Sequence, residues 1–142
     1  MGAEEKVSEV PKSAPERPRR LLLVDDSEEL RDLMVWTFVD AGYEVASADT
    51  GARGLEMALG GEFDCLLLDL RLPDMSGLEL LERLRASGSE VPALVLSGYA
   101  GCLESSRLKE LGVGRVLPKP ARLAVLVEEV GRLTNEKEPA RS

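Results

Sequence analysis

The sequence predicts an α/β protein: a doubly wound, five-stranded parallel sheet, (βα)5, with helices on both faces. Three observations carry that expectation. Short apolar runs such as Leu21-Leu22-Leu23-Val24 and Cys65-Leu66-Leu67-Leu68 lack polar alternation, as strands buried on both faces do. Segments with helical spacing of apolar residues follow each run, so strand and helix alternate five times. The units are roughly 20 to 30 residues long, enough for right-handed crossovers between parallel strands.

Strand one is Leu21 to Asp25. Helix one follows Ser27, an N-cap residue type, and sets Leu30, Leu33, Met34, Thr37 and Ala41 on one face at helical spacing. Trp36 and Phe38 read as packing or surface residues of that helix, and Gly42 ends it. Strand two lies near Tyr43 to Ala48. Helix two, Gly51 to Leu59, is weakened by Gly51 and Gly54 and stopped by Gly60-Gly61. Strand three is Phe63 to Asp69; a loop with Pro73 and Asp74, the latter an ordinary loop carboxylate, leads through Ser76-Gly77 into helix three, with Leu78, Leu81 and Leu84. Strand four is Pro92 to Leu96. Helix four, Leu103 to Leu111, ends at Gly112. Strand five is the short Arg115 to Leu117. Helix five follows Pro120 with Leu123, Leu126, Val127 and Val130 on one face, and Glu128-Glu129 reads as a solvated pair.

The chain has 142 residues, a length that suits one domain with a core of its own. Residues 1–19 carry Pro11, Pro15 and Pro18, mixed charges and few large apolar groups, and read as a disordered tail or linker. Residues 20–134 form the predicted domain and residues 135–142 a second tail. No apolar run approaches a membrane span, and the first 20 residues lack the apolar core of a signal peptide. A cytoplasmic location is expected. A net charge of -8 argues against direct binding to nucleic acid. Cys65 and Cys102 fit no metal-ligand spacing and read as structural thiols. The chain contains no histidine, which removes imidazole acid–base chemistry and any phosphohistidine of its own.

Strands one and three both end in aspartate, at Asp25-Asp26 and Asp69. Parallel strands of one sheet end on the same rim, where open α/β sheets place their sites. Like charges about 4 Å apart cost on the order of 1 to 4 kcal/mol per pair, so such a cluster calls for a hard cation, most naturally Mg²⁺. Strand four brings Ser97 and Gly98 to the same rim, and strand five brings Lys119 between Pro118 and Pro120. A hydroxyl and an ammonium beside a cation site suit an anion, and the combination suggests phosphoryl chemistry. Nucleotide-binding alternatives lose on inspection. No G-x-G-x-x-G or G-x-x-x-x-G-K-[ST] follows strand one, and Asp25-Asp26-Ser27-Glu28-Glu29 would repel a pyrophosphate. A phosphatase of the haloacid dehalogenase type would want an aspartate two residues after Asp69, where Arg71 stands.

Taken in order, Asp25-Asp26, Asp69-Leu70-Arg71-Leu72-Pro73-Asp74-Met75-Ser76-Gly77, Leu96-Ser97-Gly98-Tyr99 and Lys119-Pro120 resemble a CheY-like receiver domain of two-component response regulators. The resemblance spans about Arg20 to Leu133. It implies a flavodoxin-like sheet with strand order 2-1-3-4-5. It implies that Asp69 is a phosphoacceptor whose carboxylate attacks phosphorus. By the same resemblance Mg²⁺ is held by Asp26, Asp69 and the backbone carbonyl of Arg71, with Asp25 acting through metal-bound water. Lys119 pairs with Asp69 and then with the phosphoryl group, Ser97 moves to hydrogen-bond it, and the Lys119–Pro120 bond is cis.

One position departs from the family. Receivers commonly carry Tyr or Phe three residues before the lysine as a rotating switch; here it is Val116. Either Ser97 displacement alone carries the switch or the output uses another face. Arg71 and Tyr99 stand where relatives tune the lifetime of the phosphorylated state. The implied partners are a sensor histidine kinase or histidine phosphotransfer protein, a downstream protein effector, and possible homodimerisation. Glu28, Arg31 and Asp32 on helix one would set kinase choice. Too few residues follow Leu133 for an output domain, so a stand-alone regulator or a module cut from a larger protein, such as a hybrid histidine kinase, is expected. The competing readings are a degenerate receiver serving as an unphosphorylated adaptor and a turnover Mg²⁺ phosphatase; a signalling domain rather than an enzyme is the expectation.

Overall fold

Every second residue of a fully buried strand faces one layer of helices, and the residues between face the other. The computed structural model, which describes residues 18–98 and 105–136, sorts the apolar runs in this way. The strands are β1 (Arg20–Val24), β2 (Glu44–Ala48), β3 (Cys65–Asp69), β4 (Ala93–Ser97) and β5 (Val113–Pro118). The helices are α1 (Glu28–Asp40), α2 (Gly51–Gly60), α3 (Gly77–Ala86), α4 (Ser105–Glu110) and α5 (Leu123–Glu136). All neighbouring strands pair in parallel, in the order β2-β1-β3-β4-β5. Leu21, Leu23, Cys65, Leu67, Leu94 and Leu96 pack with Met34 and Phe38 of α1 and Leu126 and Val130 of α5. Leu22, Val24, Leu66, Leu68, Ala93 and Val95 pack on the other face, with Leu80, Leu81 and Leu84 of α3 and Leu108 of α4.

The predicted fold and strand order are those observed. Serine and threonine hydroxyls start three helices: Ser27 accepts from Leu30 N–H at 3.3 Å, Thr50 from Arg53 N–H at 3.1 Å and Ser76 from Glu79 N–H at 3.0 Å. Gly42 and Gly112, expected as stops, take φ of +103° and +83°, the left-handed conformation that favours glycine. Gly51 and Gly54 of α2 are packing devices. Gly54 lies under Val24, where a Cβ would stand 2.8 Å from Cγ2. That close approach explains how a helix with glycines at 51, 54 and 60 is kept: tertiary contact outweighs propensity.

Three sequence expectations change. The buried row of α1 is Met34 and Phe38, with Leu30 partly buried, whereas Leu33 is 51 % exposed. Positions 30, 34 and 38 lie one row around the helix from 33, 37 and 41, and helical spacing alone fits either row. Phe38 is fully buried and meets Tyr43 edge to face, with ring centroids 5.5 Å apart. Glu129 is buried rather than solvated; its carboxylate pairs with Arg115 across β5 and α5 at 3.1 Å. Strand β5 is longer than expected, because pairing with β4 carries it through Gly114 with a register shift. Of the expected tails at 1–19 and 135–142, residues 135–136 instead continue α5 to Glu136, while 1–17 and 137–142, together with Tyr99, Cys102 and the start of helix four at Leu103, lie outside the described residues.

The two rows of α1 are separable by stability. Phe38→Ala should cost about 3 to 5 kcal/mol of unfolding free energy in urea titrations, and Leu33→Ala within about 0.5 kcal/mol. Equal costs would mean that the helix is rotated.

Candidate functional site

The rim at the carboxyl ends of β1, β3, β4 and β5 is assembled by backbone pairing. Val24 pairs with Leu68 in the β1–β3 register, so Asp25 and Asp69 leave neighbouring strands side by side. Asp25 is buried: its N–H donates to the Ala48 carbonyl at 3.1 Å, and its Oδ1 accepts from Ser27 N–H at 2.9 Å. Asp26, next in the chain, points into solvent. Asp69 ends β3, is buried, and accepts from Arg71 N–H at 3.1 Å. Carboxylate oxygens of Asp25, Asp26 and Asp69 all lie within 4.8 Å of one another.

Lys119 reaches this cluster across two strands. Its N–H donates to the Ser97 carbonyl at 2.8 Å, which ties the end of β4 to the segment after β5. The Lys119–Pro120 peptide is cis, as the family resemblance implies. The Lys119 ammonium then lies 3.0 Å from Asp69 Oδ2 and 3.3 Å from Asp25 Oδ2. Ser97 is buried at the same rim, and Val116, further back on β5, is half-buried against the layer of α2, α3 and α4.

The Lys119 ammonium bonds two of the three carboxylates, Asp69 and Asp25. At an effective dielectric of about 20, each carboxylate pair at this spacing costs on the order of 3 kcal/mol. Burial raises the Asp25 carboxyl above its ordinary range; the Ser27 amide and Lys119 oppose that rise, and Asp69 adds to it. Burial pulls the Lys119 ammonium down, but its bonds to Asp69 and Asp25 outweigh that and raise it, so it stays charged. Three hard oxygen ligands with residual negative charge fit a divalent cation such as Mg²⁺, with Asp26 on the open side.

Asp25, Asp26, Asp69, Ser97 and Lys119 meet at this rim, and Val116 does not. Three contributions were not legible in the sequence. Arg31, expected as an outer partner-selecting residue, donates from Nη1 to the Asp25 carbonyl at 2.9 Å and braces the β1–α1 turn. Asp74, expected as a plain loop carboxylate, caps α2: Oδ1 accepts from Gly51 N–H at 2.7 Å and Oδ2 from Ala52 N–H at 2.9 Å. Gly77 lets α3 start against β3, since a Cβ there would stand 2.6 Å from the Asp69 carbonyl oxygen. The Asp74 bonds span more than 20 residues, so no local pattern marks them.

The family model described as response regulator receiver domain matches residues 21–131. A probable transcriptional regulatory protein of Picosynechococcus is 36% identical over 130 residues, covering 87% of this chain and 52% of the relative. The transcriptional regulatory protein CusR of Escherichia coli is 31% identical over 114 residues, with 80% and 50% covered. The chain therefore spans about half the length of the curated relatives it matches. Among solved structures, a CheY-like response regulator receiver domain protein from Methanospirillum hungatei superposes with a TM-score of 0.82 at 30% identity, over 87% of this chain and 98% of that one. The response regulator TrrA of Thermotoga maritima, in complex with Mg²⁺-BeF, superposes with a TM-score of 0.71 at 28% identity, over 81% and 98%.

The Asp25 carboxyl gives a pH test. Its folded pKa is raised above 3.8, so ionisation costs folding free energy as pH rises through and beyond that value. In EDTA, Asp25→Asn should melt higher than wild type at pH 7. The gain should vanish as pH falls below about 4. A gain that persists in acid would place its origin elsewhere.

Proposed function

Because the chain belongs to the response regulator receiver domain family, with 21–131 matched, we propose that it is a phosphorylation-controlled signalling domain whose phosphoacceptor is Asp69. The observation that carries this reading is the buried Asp69 carboxylate held 3.0 Å from the Lys119 ammonium within the three-aspartate cluster. An Asp69 oxygen attacks the phosphorus of a phosphohistidine or a small acyl phosphate. The new O–P bond makes an acyl phosphate as the bond to the imidazole or acyl oxygen breaks and the leaving group departs. Mg²⁺, when bound, supplies charge neutralisation for the phosphoryl oxygens. Asp26, Asp69 and the Arg71 carbonyl would hold it, and Asp25 would act through water. Lys119 moves from pairing with Asp69 to pairing with the phosphoryl group, and the Ser97 hydroxyl hydrogen-bonds a phosphoryl oxygen. Val116 has no ring to rotate, so Ser97 displacement conveys the change toward α4 and β5.

With no histidine in the chain, the donor is another protein, a histidine kinase or phosphotransfer protein, or a small acyl phosphate. No acid–base residue is present at position 71 to drive rapid hydrolysis, which supports a signalling domain over a turnover enzyme. The outer face of α1 supports a protein partner there: Trp36 is 74% exposed, beside exposed Leu33 and Val39 and the acidic Glu29 and Asp32. The relatives' names point to gene regulation as the output, reached through a partner protein, a second copy, or a further domain of a longer protein. No described helix is long and apolar enough to cross a membrane.

With Mg²⁺ and acetyl phosphate, the wild type should gain one phosphoryl mass and Asp69→Ala none; beryllofluoride should bind only the wild type. A wild type that gains neither would sink the proposal, and sustained phosphate release over many turnovers would make it a phosphatase. Trp36→Ala should slow transfer from a phosphorylated kinase about 10-fold while leaving acetyl phosphate labelling unchanged. Equal loss with both donors would move the effect to the aspartate site.

A further inference from the structure

The loop between β3 and α3 carries Arg71, whose carbonyl is the one ligand in the proposed Mg²⁺ set that no side chain supplies. Its base is held locally. Arg71 N–H donates to Asp69 Oδ1 at 3.1 Å, Arg71 bridges to Ser76, and Gly77 N–H donates to the Leu70 carbonyl at 2.8 Å. Its tip is held from another element. Each oxygen of Asp74 takes one of the first two amides of α2, Gly51 N–H at 2.7 Å and Ala52 N–H at 2.9 Å. Those amides have no acceptor within the helix. The Thr50 hydroxyl takes the amide of Arg53, so the two caps divide the first turn between them. A carboxylate there also meets the positive end of the helix dipole. The two amide bonds hold the Asp74 carboxyl below its ordinary range, as expected for a carboxylate that is bonded while ionised.

A second contact acts at the same place. Gly51 is buried, and a Cβ on it would overlap Met75 Cγ and stand 3.2 Å from Asp74 Oδ1. The loop tip therefore lies directly on the first turn of α2, with Met75 packed where any other residue would place a side chain. Both contacts come from the start of α2, which follows β2 at the edge of the sheet opposite β5 and Lys119.

We infer that Asp74 is a positioning residue for the metal site: by docking the loop tip on the start of α2, it sets where the Arg71 carbonyl stands relative to Asp26 and Asp69. The inference rests on the Mg²⁺ reading above and adds a residue that touches neither metal nor phosphoryl group. It also makes the first turn of α2 part of the support for the site.

Mg²⁺ titration calorimetry on the full chain, paired with melting in EDTA, tests it. Asp74→Ala should weaken Mg²⁺ binding about 10-fold, in the range seen when groups that orient metal ligands are removed. Asp74→Asn, which keeps one acceptor oxygen, should fall between Asp74→Ala and wild type. Gly51→Ala should weaken Mg²⁺ with Asp74 intact, by displacing Met75. Leu126→Ala, in the core on the other sheet face, should lower the melting temperature and leave Mg²⁺ affinity at the wild-type value. Wild-type Mg²⁺ affinity in Asp74→Ala overturns the inference, even if that variant melts lower. Should Asp74→Ala fail to fold, wild-type affinity in both Asp74→Asn and Gly51→Ala overturns it. A wild type that binds no Mg²⁺ overturns the metal reading itself and this inference with it.

Discussion

The pairing of β1 with β3 is the constraint on which the rest of the site depends. With Val24 beside Leu68, the two strands release Asp25 and Asp69 at the same level of the sheet. A slip of one residue would turn the apolar side chains of one strand to the wrong helical layer. Burial of Leu21 to Val24 and of Cys65 to Leu68 therefore holds the two carboxylates together against their own repulsion. The core supplies the energy that an acidic cluster costs.

Lys119 is the counterweight, and its position is also a backbone matter. The Ser97 carbonyl holds the Lys119 amide, so the ammonium approaches from the β4–β5 side and lies between Asp25 and Asp69. Lys119 pairs with Asp25 and Asp69, and Asp26 stands exposed beside them. Asp26 leaves its charge open to solvent, while Asp25 is braced by Ser27 and Arg31. The result is a rim with a rigid floor and one accessible side.

The β3–α3 loop is fixed by a different device. Glycine at positions 51 and 77 removes the Cβ atoms that would otherwise hold the loop off α2 and α3 off β3. Asp74 adds two charge-assisted bonds to amides that the helix itself cannot satisfy. Helix α2 carries glycines at 51, 54 and 60 and has little intrinsic tendency to form, yet its start is held by Asp74 and Thr50. Local propensity and tertiary fixation run in opposite directions there.

Element order, the parallel sheet and the gathering of Asp25, Asp26, Asp69, Ser97 and Lys119 were readable from residue order alone. Uninterrupted apolar strands and strand-end polar residues are local signals, and parallel pairing turns them into a common rim. Packing in the fold selected which row of α1 faces inward, because spacings of three and four residues fit either row. It also decided that Glu129 is buried against Arg115, that Arg31 braces Asp25, and that Asp74 caps a helix that starts more than 20 residues away. These are bonds between partners distant in the chain. Their donors and acceptors are ordinary surface residue types until the fold brings them within about 3 Å of each other.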